Sequence, residues 1–275
     1  NRREYNKDKE KEVKNMTHNE KRIYLINALL KENPRYSDVK IPENENEQKI
    51  MLRSLFNIRM PSKTSGEFIK IQNEYLSEAV SLKGIREIEK SDEISDEIYL
   101  IKCDITTLKC DAVVNAANSR MLGCFCPCHG CIDNAIHTFA GIELRQKCAQ
   151  IMSEQGNDEP TGKAKITPAY NLPSKYIIHT VGPVVSGRLT KDDCGLLASC
   201  YRSCLELAEE YELKSIAFCC ISTGEFHFPN EKAAEIAVTT VNEFKNRTKS
   251  KIKVIFNVFK DKDFIIYERL LGKRN

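Results

Sequence analysis

Nowhere in this sequence do about eighteen apolar residues run without interruption, so no segment is long enough to cross a bilayer as a helix. An excess of charge of one sign is missing too: charged residues are 29% of the chain and nearly cancel, to a net of +3. That balance excludes a dedicated nucleic-acid surface as the main function, since such surfaces need a basic patch or stripe. A small anionic ligand held by a few main-chain donors is still compatible with it. The start, Asn1 to Asn15, lacks the apolar core of a secretion signal, and its Lys, Glu and Asn residues suit a polar, disordered tail over 1–16. The twelve cysteines are therefore expected as thiols in a reducing, cytoplasmic setting rather than as a disulfide framework. Also missing is a second C-x-x-C pair with a downstream partner, which would close a four-ligand structural metal site.

What is present is a dense loop. Between Gly123 and Asn134 lie Cys124, Cys126, Cys128, Cys131, His129 and Asp133. Thiolates and imidazoles are the preferred ligands of Zn²⁺, which takes four donors in a tetrahedron. A Cys-x4-His-x-Cys series offers three and leaves a fourth position for water or substrate, the arrangement of a catalytic rather than a structural site. Cys126 and Cys128 compete with Cys124 and Cys131 as ligands, and a lone Cys is more often a small buried apolar residue. Local spacing leaves that choice open.

With 41% apolar residues in 275, the chain can bury one substantial core and a small second one. Thr17-x-x-Glu20 has the spacing of a capping box and predicts a helix carrying Ile23, Ile26, Leu29 and Leu30 up to Pro34. Helices also follow from about Glu45 to Arg59 and from about Ser65 to Val80, so residues 17–90 form a small helical layer. The acidic stretch Ser91 to Glu97 reads as the boundary of a second region, 91–275. There, apolar runs at Ile98 to Ile101, Asp111 to Ala116, Lys175 to Val181, Ser215 to Ile221 and Lys251 to Phe259 suit buried strands. Helical spacing covers Ile132 to Glu154, Leu196 to Tyr211, Glu231 to Lys245 and Asp261 to Leu271. The alternation predicts an α/β fold with a mostly parallel sheet covered on both faces, whose ligands sit at the carboxyl ends of its strands.

Three polar segments fall at those ends: Cys103-Asp104-Ile105-Thr106, Asn115-Ala116-Ala117-Asn118 and Ser222-Thr223-Gly224-Glu225-Phe226. Ser222-Thr223-Gly224-Glu225-Phe226 has small residues that let backbone N–H groups approach an anion, although an ordinary tight turn uses the same residues. Asn115 and Asn118 bracket two alanines; an amide there holds a sugar hydroxyl or caps a turn. Asp133 begins a helix, where it either caps or orients a water, and His137 shares its face four residues on as a packed neighbour.

Taken together, Asp104-Ile105-Thr106, Asn115-Ala116-Ala117-Asn118, Ile178-His179-Thr180-Val181-Gly182-Pro183 and Cys220-Ile221-Ser222-Thr223-Gly224 resemble the successive signatures of the macrodomain family, which binds ADP-ribose. The Cys/His loop resembles the zinc-containing microbial branch, often linked to sirtuin-type ADP-ribosyltransferases. The helical layer, with Leu52-Arg53-Ser54-Leu55 and Arg59-Met60-Pro61, is similar to an extension of that branch. The resemblance implies a three-layer α/β/α sandwich over 91–275. It implies that Asp104 and Ile105 meet the adenine and that Asn118 holds the distal ribose. It has Ser222, Thr223, Gly224, Glu225 and Phe226 wrap the diphosphate, and sets Cys131, Ile132, Asp133 and Asn134 along the ligand. Cys124, His129 and Cys131 match the zinc ligands, which makes Cys126 and Cys128 bystanders, and Phe259 is a candidate for adenine stacking. Two departures from the common family pattern are Cys103 in place of glycine before Asp104 and the Cys/His loop in place of a glycine-rich one.

The function so implied is zinc-dependent hydrolysis of mono-ADP-ribose from a protein side chain, an ester to Asp or Glu, with Asn118 and Asp133 as catalytic residues. The implied partners are ADP-ribose and an ADP-ribosylated protein, by family analogy a lipoyl-carrier protein, with the enzyme acting as a monomer. The rival expectations are a non-catalytic ADP-ribose reader and an O-acetyl-ADP-ribose deacetylase.

Overall fold

The computed structural model describes residues 16–272, so the expected tail falls, apart from Met16, outside the described residues. Three helices come first: α1 (His18–Lys31), α2 (Glu45–Ile58) and α3 (Gly66–Lys83). The Thr17/Glu20 capping box forms as its spacing predicts. These helices enclose a core of their own, including Leu25, Ile26, Leu52, Phe56, Phe68, Ile71 and Leu76, to which Ile142 contributes from the next region.

The sheet follows, with β1 (Glu93–Ser95), β2 (Ile98–Lys102), β3 (Ala112–Ala117), β4 (Ala164–Pro168), β5 (Tyr176–Val181), β6 (Ser215–Phe218) and β7 (Lys253–Val258). Its order is β1-β2-β7-β6-β3-β5-β4, parallel from β2 to β5 and antiparallel at both edges. The central strands are near-continuous runs of Val, Ile, Ala and Phe because both faces are covered. Helices α4 (Ile132–Ala140) and α5 (Ile142–Gln155) follow β3; α6 (Lys191–Glu210), α7 (Asn230–Thr248) and α8 (Asp261–Leu271) follow β5, β6 and β7. The first connection runs along the sheet toward β5 and the later ones run back, so right-handed crossovers put α4 and α5 on one face and α6 and α7 on the other. The result is the expected α/β sandwich.

Three details depart from expectation. The edge strands β1 and β4 are additional; β1 lies in the acidic stretch expected to be a boundary, and β4 is a half-exposed strand with Lys165 and Thr167 between its apolar residues. The helix expected over Ile132 to Glu154 breaks at Gly141, whose φ of +95° is closed to most side chains and where a Cβ would meet Gln72 Nε2 at 2.7 Å. Gln72 Oε1 accepts the Ile142 N–H at 2.9 Å, so α3 caps α5. Finally, α6 starts earlier than its apolar periodicity, at a Thr190/Asp193 capping box. Among the described residues, no helix is long and apolar enough to cross a membrane.

Candidate functional site

Because β2, β3, β5, β6 and β7 are parallel, their carboxyl ends share one edge, and the segments that begin there are Cys103-Asp104, Asn118, Gly182, Cys219 to Phe226 and Phe259. At the centre is Asp133, in the first turn of α4 and only 5% exposed. The Asn115 amide donates to its Oδ1 at 2.8 Å and the Asn118 amide donates to its Oδ2 at 3.2 Å. Burial raises the Asp133 pKa to about 6, against the pull of the two amides and of Arg145. Asn118 also donates to the Gly123 carbonyl at 3.1 Å, which ties the end of β3 to the start of the Cys/His loop.

In that loop the ligand atoms of Cys124, His129 and Cys131 lie within 4.8 Å of one another, all three side chains half-buried. Cys124 Sγ is 3.7 Å from His129 Nδ1, and Cys131 Sγ, at the helix N-cap, accepts the Asn134 N–H at 3.4 Å. Burial pushes the Cys131 thiol up to about 12, the Asn134 amide opposing and the neighbouring Cys124 adding to the rise. A thiol raised in this way keeps its proton until a cation replaces it. Donor type, convergence and half-burial thus fit a thiophilic divalent ion such as zinc, with these three residues as its ligands. Cys128 Sγ turns away instead, to Ser54 Oγ at 3.2 Å, and Cys126 is exposed.

His129 Nε2 lies 3.5 Å from Glu225 Oε1, so the loop after β6 reaches across to the Cys/His loop. Ser222 opens that loop in the left-handed region (φ +64°), with its buried Oγ lacking a partner among the described residues. A Cβ on Gly182 would stand 2.0 Å from that oxygen, so the loop after β5 needs glycine there. At the far end, Asp104 Oδ1 accepts from the Thr106 N–H and hydroxyl, and Lys83 Nζ is 3.1 Å from Oδ2. Burial raises the Asp104 pKa, yet Thr106 and Lys83 outweigh it and the net shift is downward. Ile105 is buried beneath this turn, Ile132 and Phe226 are half-buried, Gly224 is exposed, and Phe259 stands 73% exposed beyond β7.

Asn134 is fully buried, and its side chain meets Arg53 and the Cys126 carbonyl rather than the cleft. Sequence reasoning missed its partners. Arg53, Ser54 and Asn57 of α2 all touch the Cys/His loop or α4, and buried Arg145 donates to the carbonyls of Leu122, Phe56, Asn57 and Arg59. Arg53, Ser54 and Asn57 are the polar positions of the otherwise apolar second half of α2, Ile50 to Ile58, at i, i+1 and i+4, a spacing that marks a shared polar face and not what that face meets.

The macro domain family matches residues 114–237. A protein-ADP-ribose hydrolase of Treponema medium is 58% identical over 261 residues, spanning 94% of this chain and 100% of its own length. One of Staphylococcus aureus (strain MSSA476) is 46% identical, spanning 91% of this chain and 94% of its own. Among solved structures, the Trypanosoma brucei macrodomain in complex with ADP-ribose superposes with a TM-score of 0.62 at 31% identity, over 84% of this chain and 97% of that one. The chain belongs to the macrodomain family.

Proposed function

We propose that this protein is a zinc-dependent hydrolase that removes ADP-ribose from modified proteins, the bond cut being an ester to Asp or Glu. The observation that carries the reading is the Asp133 carboxylate, gripped by Asn115 and Asn118 directly beside the Cys124/His129/Cys131 donor set. Relatives named protein-ADP-ribose hydrolase over nearly the whole length support the reaction class.

In this reading the ligand lies along the sheet edge. Asp104 and Ile105 meet the adenine, with Phe259 able to stack on it; the Ser222 to Phe226 loop wraps the diphosphate; Asn118 and the start of α4 from Cys131 to Asp133 hold the distal ribose. Cys124, His129 and Cys131 would hold the zinc, which when bound would supply Lewis-acid polarisation and lower the pKa of water toward about 7. Asp133 orients the attacking water and takes its proton on a carboxylate oxygen, each oxygen keeping a lone pair beyond its amide contact. Asn115 and Asn118 fix that carboxylate so that it need not reorganise. The water oxygen bonds to the anomeric carbon of the ribose as that carbon's bond to the ester oxygen breaks; the acceptor side chain leaves as a carboxylate, Asp133 holds the proton taken from water, and free ADP-ribose departs.

The acceptor we propose, on family resemblance, is a lipoyl-carrier protein modified by a sirtuin-type transferase. The cytoplasm is the proposed setting and a monomer the proposed state; twelve free thiols suit the former. The test is release of ADP-ribose from automodified protein. Asp133→Ala and Cys131→Ala should each lower turnover by about 100-fold or more. Full turnover in either variant overturns the mechanism. Tight ADP-ribose binding with no release from any linkage by the parent identifies a reader instead, and faster turnover of O-acetyl-ADP-ribose than of modified protein identifies a deacetylase.

A further inference from the structure

Helix α2 presents two faces. Leu52, Leu55 and Phe56 point into the core of the helical layer, while Ile50, Arg53, Ser54 and Asn57 form a stripe at helical spacing. That stripe meets the Cys/His loop at several points. The Arg53 guanidinium donates from Nη2 to the His129 carbonyl at 2.9 Å and to Asn134 Oδ1 at 2.7 Å, and from Nε to the same Oδ1 at 3.2 Å. Asn134, held in this way, donates its side chain to the Cys126 carbonyl at 2.9 Å and its backbone N–H to Cys131 Sγ. Asn57 accepts the Cys128 N–H at 2.9 Å and donates to Thr138 Oγ1 at 2.9 Å. It thereby pins a residue whose φ of +52° is unfavourable for a side chain.

Two of the three metal-ligand candidates, His129 directly and Cys131 through Asn134, are thus steadied from a segment 76 to 81 residues earlier in the chain, and the Cys128 turn between Cys124 and His129 is pinned from 71 residues earlier. Three donors on a short loop without regular secondary structure do not hold a metal's geometry unaided, because ordering them costs conformational entropy at every turn of the loop. An outer shell of hydrogen bonds removes that cost in advance and fixes ligand orientation. We propose that the helical layer, residues 17–90, is the splint of the metal loop, and that Arg53 is its principal positioning residue, setting the affinity for zinc. The inference rests on the zinc reading above and adds a function for the helices.

The test uses the full-length, zinc-loaded chain, with zinc affinity read by competition against a chromophoric chelator and melting temperature followed in parallel. Arg53→Ala should weaken zinc binding by about 10–100-fold, the usual effect of losing an outer-shell partner. Leu52→Ala, which opens a cavity on the other face of the same helix, should lower the melting temperature and keep the parent's zinc affinity. If Arg53→Ala fails to fold, Asn57→Ser, which shortens the link to Cys128, should still weaken zinc binding several-fold. Unchanged affinity in Arg53→Ala, or in Asn57→Ser where that variant replaces it, overturns the proposal. So does an equal loss in Leu52→Ala, which would trace the effect to general stability. A parent chain that binds no zinc overturns the zinc reading as well, which separates that failure from this one.

Discussion

Glu225 and His129 face one another from opposite loops, Oε1 to Nε2 at 3.5 Å. A carboxylate side chain repels a diphosphate, so in the proposed binding mode Glu225 would meet the ligand through its backbone and leave its side chain to His129. With Nδ1 of His129 turned toward Cys124, a carboxylate near Nε2 is placed to orient the ring under the zinc reading, as outer carboxylates do for metal-ligating histidines. Glu225→Gln should therefore weaken zinc binding by about 10-fold without weakening ADP-ribose binding. Chelator competition and calorimetry with ADP-ribose check the two halves.

The loop's four cysteines divide in two. Cys128 packs on Ser54 and Cys126 is exposed, so Cys126→Ser and Cys128→Ser should each retain one zinc per chain. Cys124→Ser and Cys131→Ser, which remove converging sulfurs, should lose it. Elemental analysis of purified variants decides; zinc lost from Cys126→Ser or Cys128→Ser would reassign the ligands.

Gly182 has no room for a methyl group, since Ser222 Oγ would lie 2.0 Å from it. Gly182→Ala should push the Ser222 loop outward and lower ADP-ribose affinity by about 10-fold or more, the cost of a clash of roughly 1–3 kcal/mol. Zinc content should stay at the parent's level. Titration calorimetry gives the affinity, and an unaltered value would remove Ser222 from the ligand path.

Buried His179 is held neutral, its Nδ1 3.1 Å from the Asn115 amide and its Nε2 2.9 Å from the Thr167 hydroxyl, and burial pushes its pKa down to about 3. The unfolded chain, with an ordinary imidazole, takes up that proton first, so stability falls as pH drops below about 6.5. By pH 5.5 the loss is about 1 kcal/mol. His137, also depressed chiefly by burial, acts in the same direction. Asp133, raised to about 6, acts in the opposite one, because the folded state keeps its proton. Cys148 Sγ, 4.0 Å from Nε2, stays neutral in this range, burial having pushed it up to about 12. Urea midpoints at pH 7.5 and 5.5 should differ less in His179→Gln than in the parent; equal differences would contradict the assignment.

The sheet's central strands were legible because both faces are buried and the runs of Val, Ile and Phe need no alternation. Strands β1 and β4 were not: one is three residues of acidic edge, and the other carries Lys165 and Pro168 on an exposed border where packing imposes no pattern. The Gly141 break was hidden because apolar spacing continues on either side of it, and what forces the break is Gln72, remote in sequence. In the candidate site, Asn118, Asp133 and the converging Cys/His loop could be read from motifs. The grip of Arg53 and Asn57 could not, because it joins residues 71 to 81 positions apart, which no local pattern reports.

The boundary between the helical layer and the α/β sandwich is largely a polar seam. Gln72 meets the Ile142 amide, Asn73 meets Glu143 and Asn171, Asn57 meets Thr138, and Arg145 gathers three carbonyls from the end of α2. Hydrogen bonds of this kind fix register firmly but exchange readily with water, whereas each side keeps a hydrophobic core of its own. The layer should therefore open as a cooperative unit at a lower free energy than global unfolding. Its amides should exchange with deuterium as one group, and the lifetime of whatever the Cys/His loop holds should follow how often that unit opens.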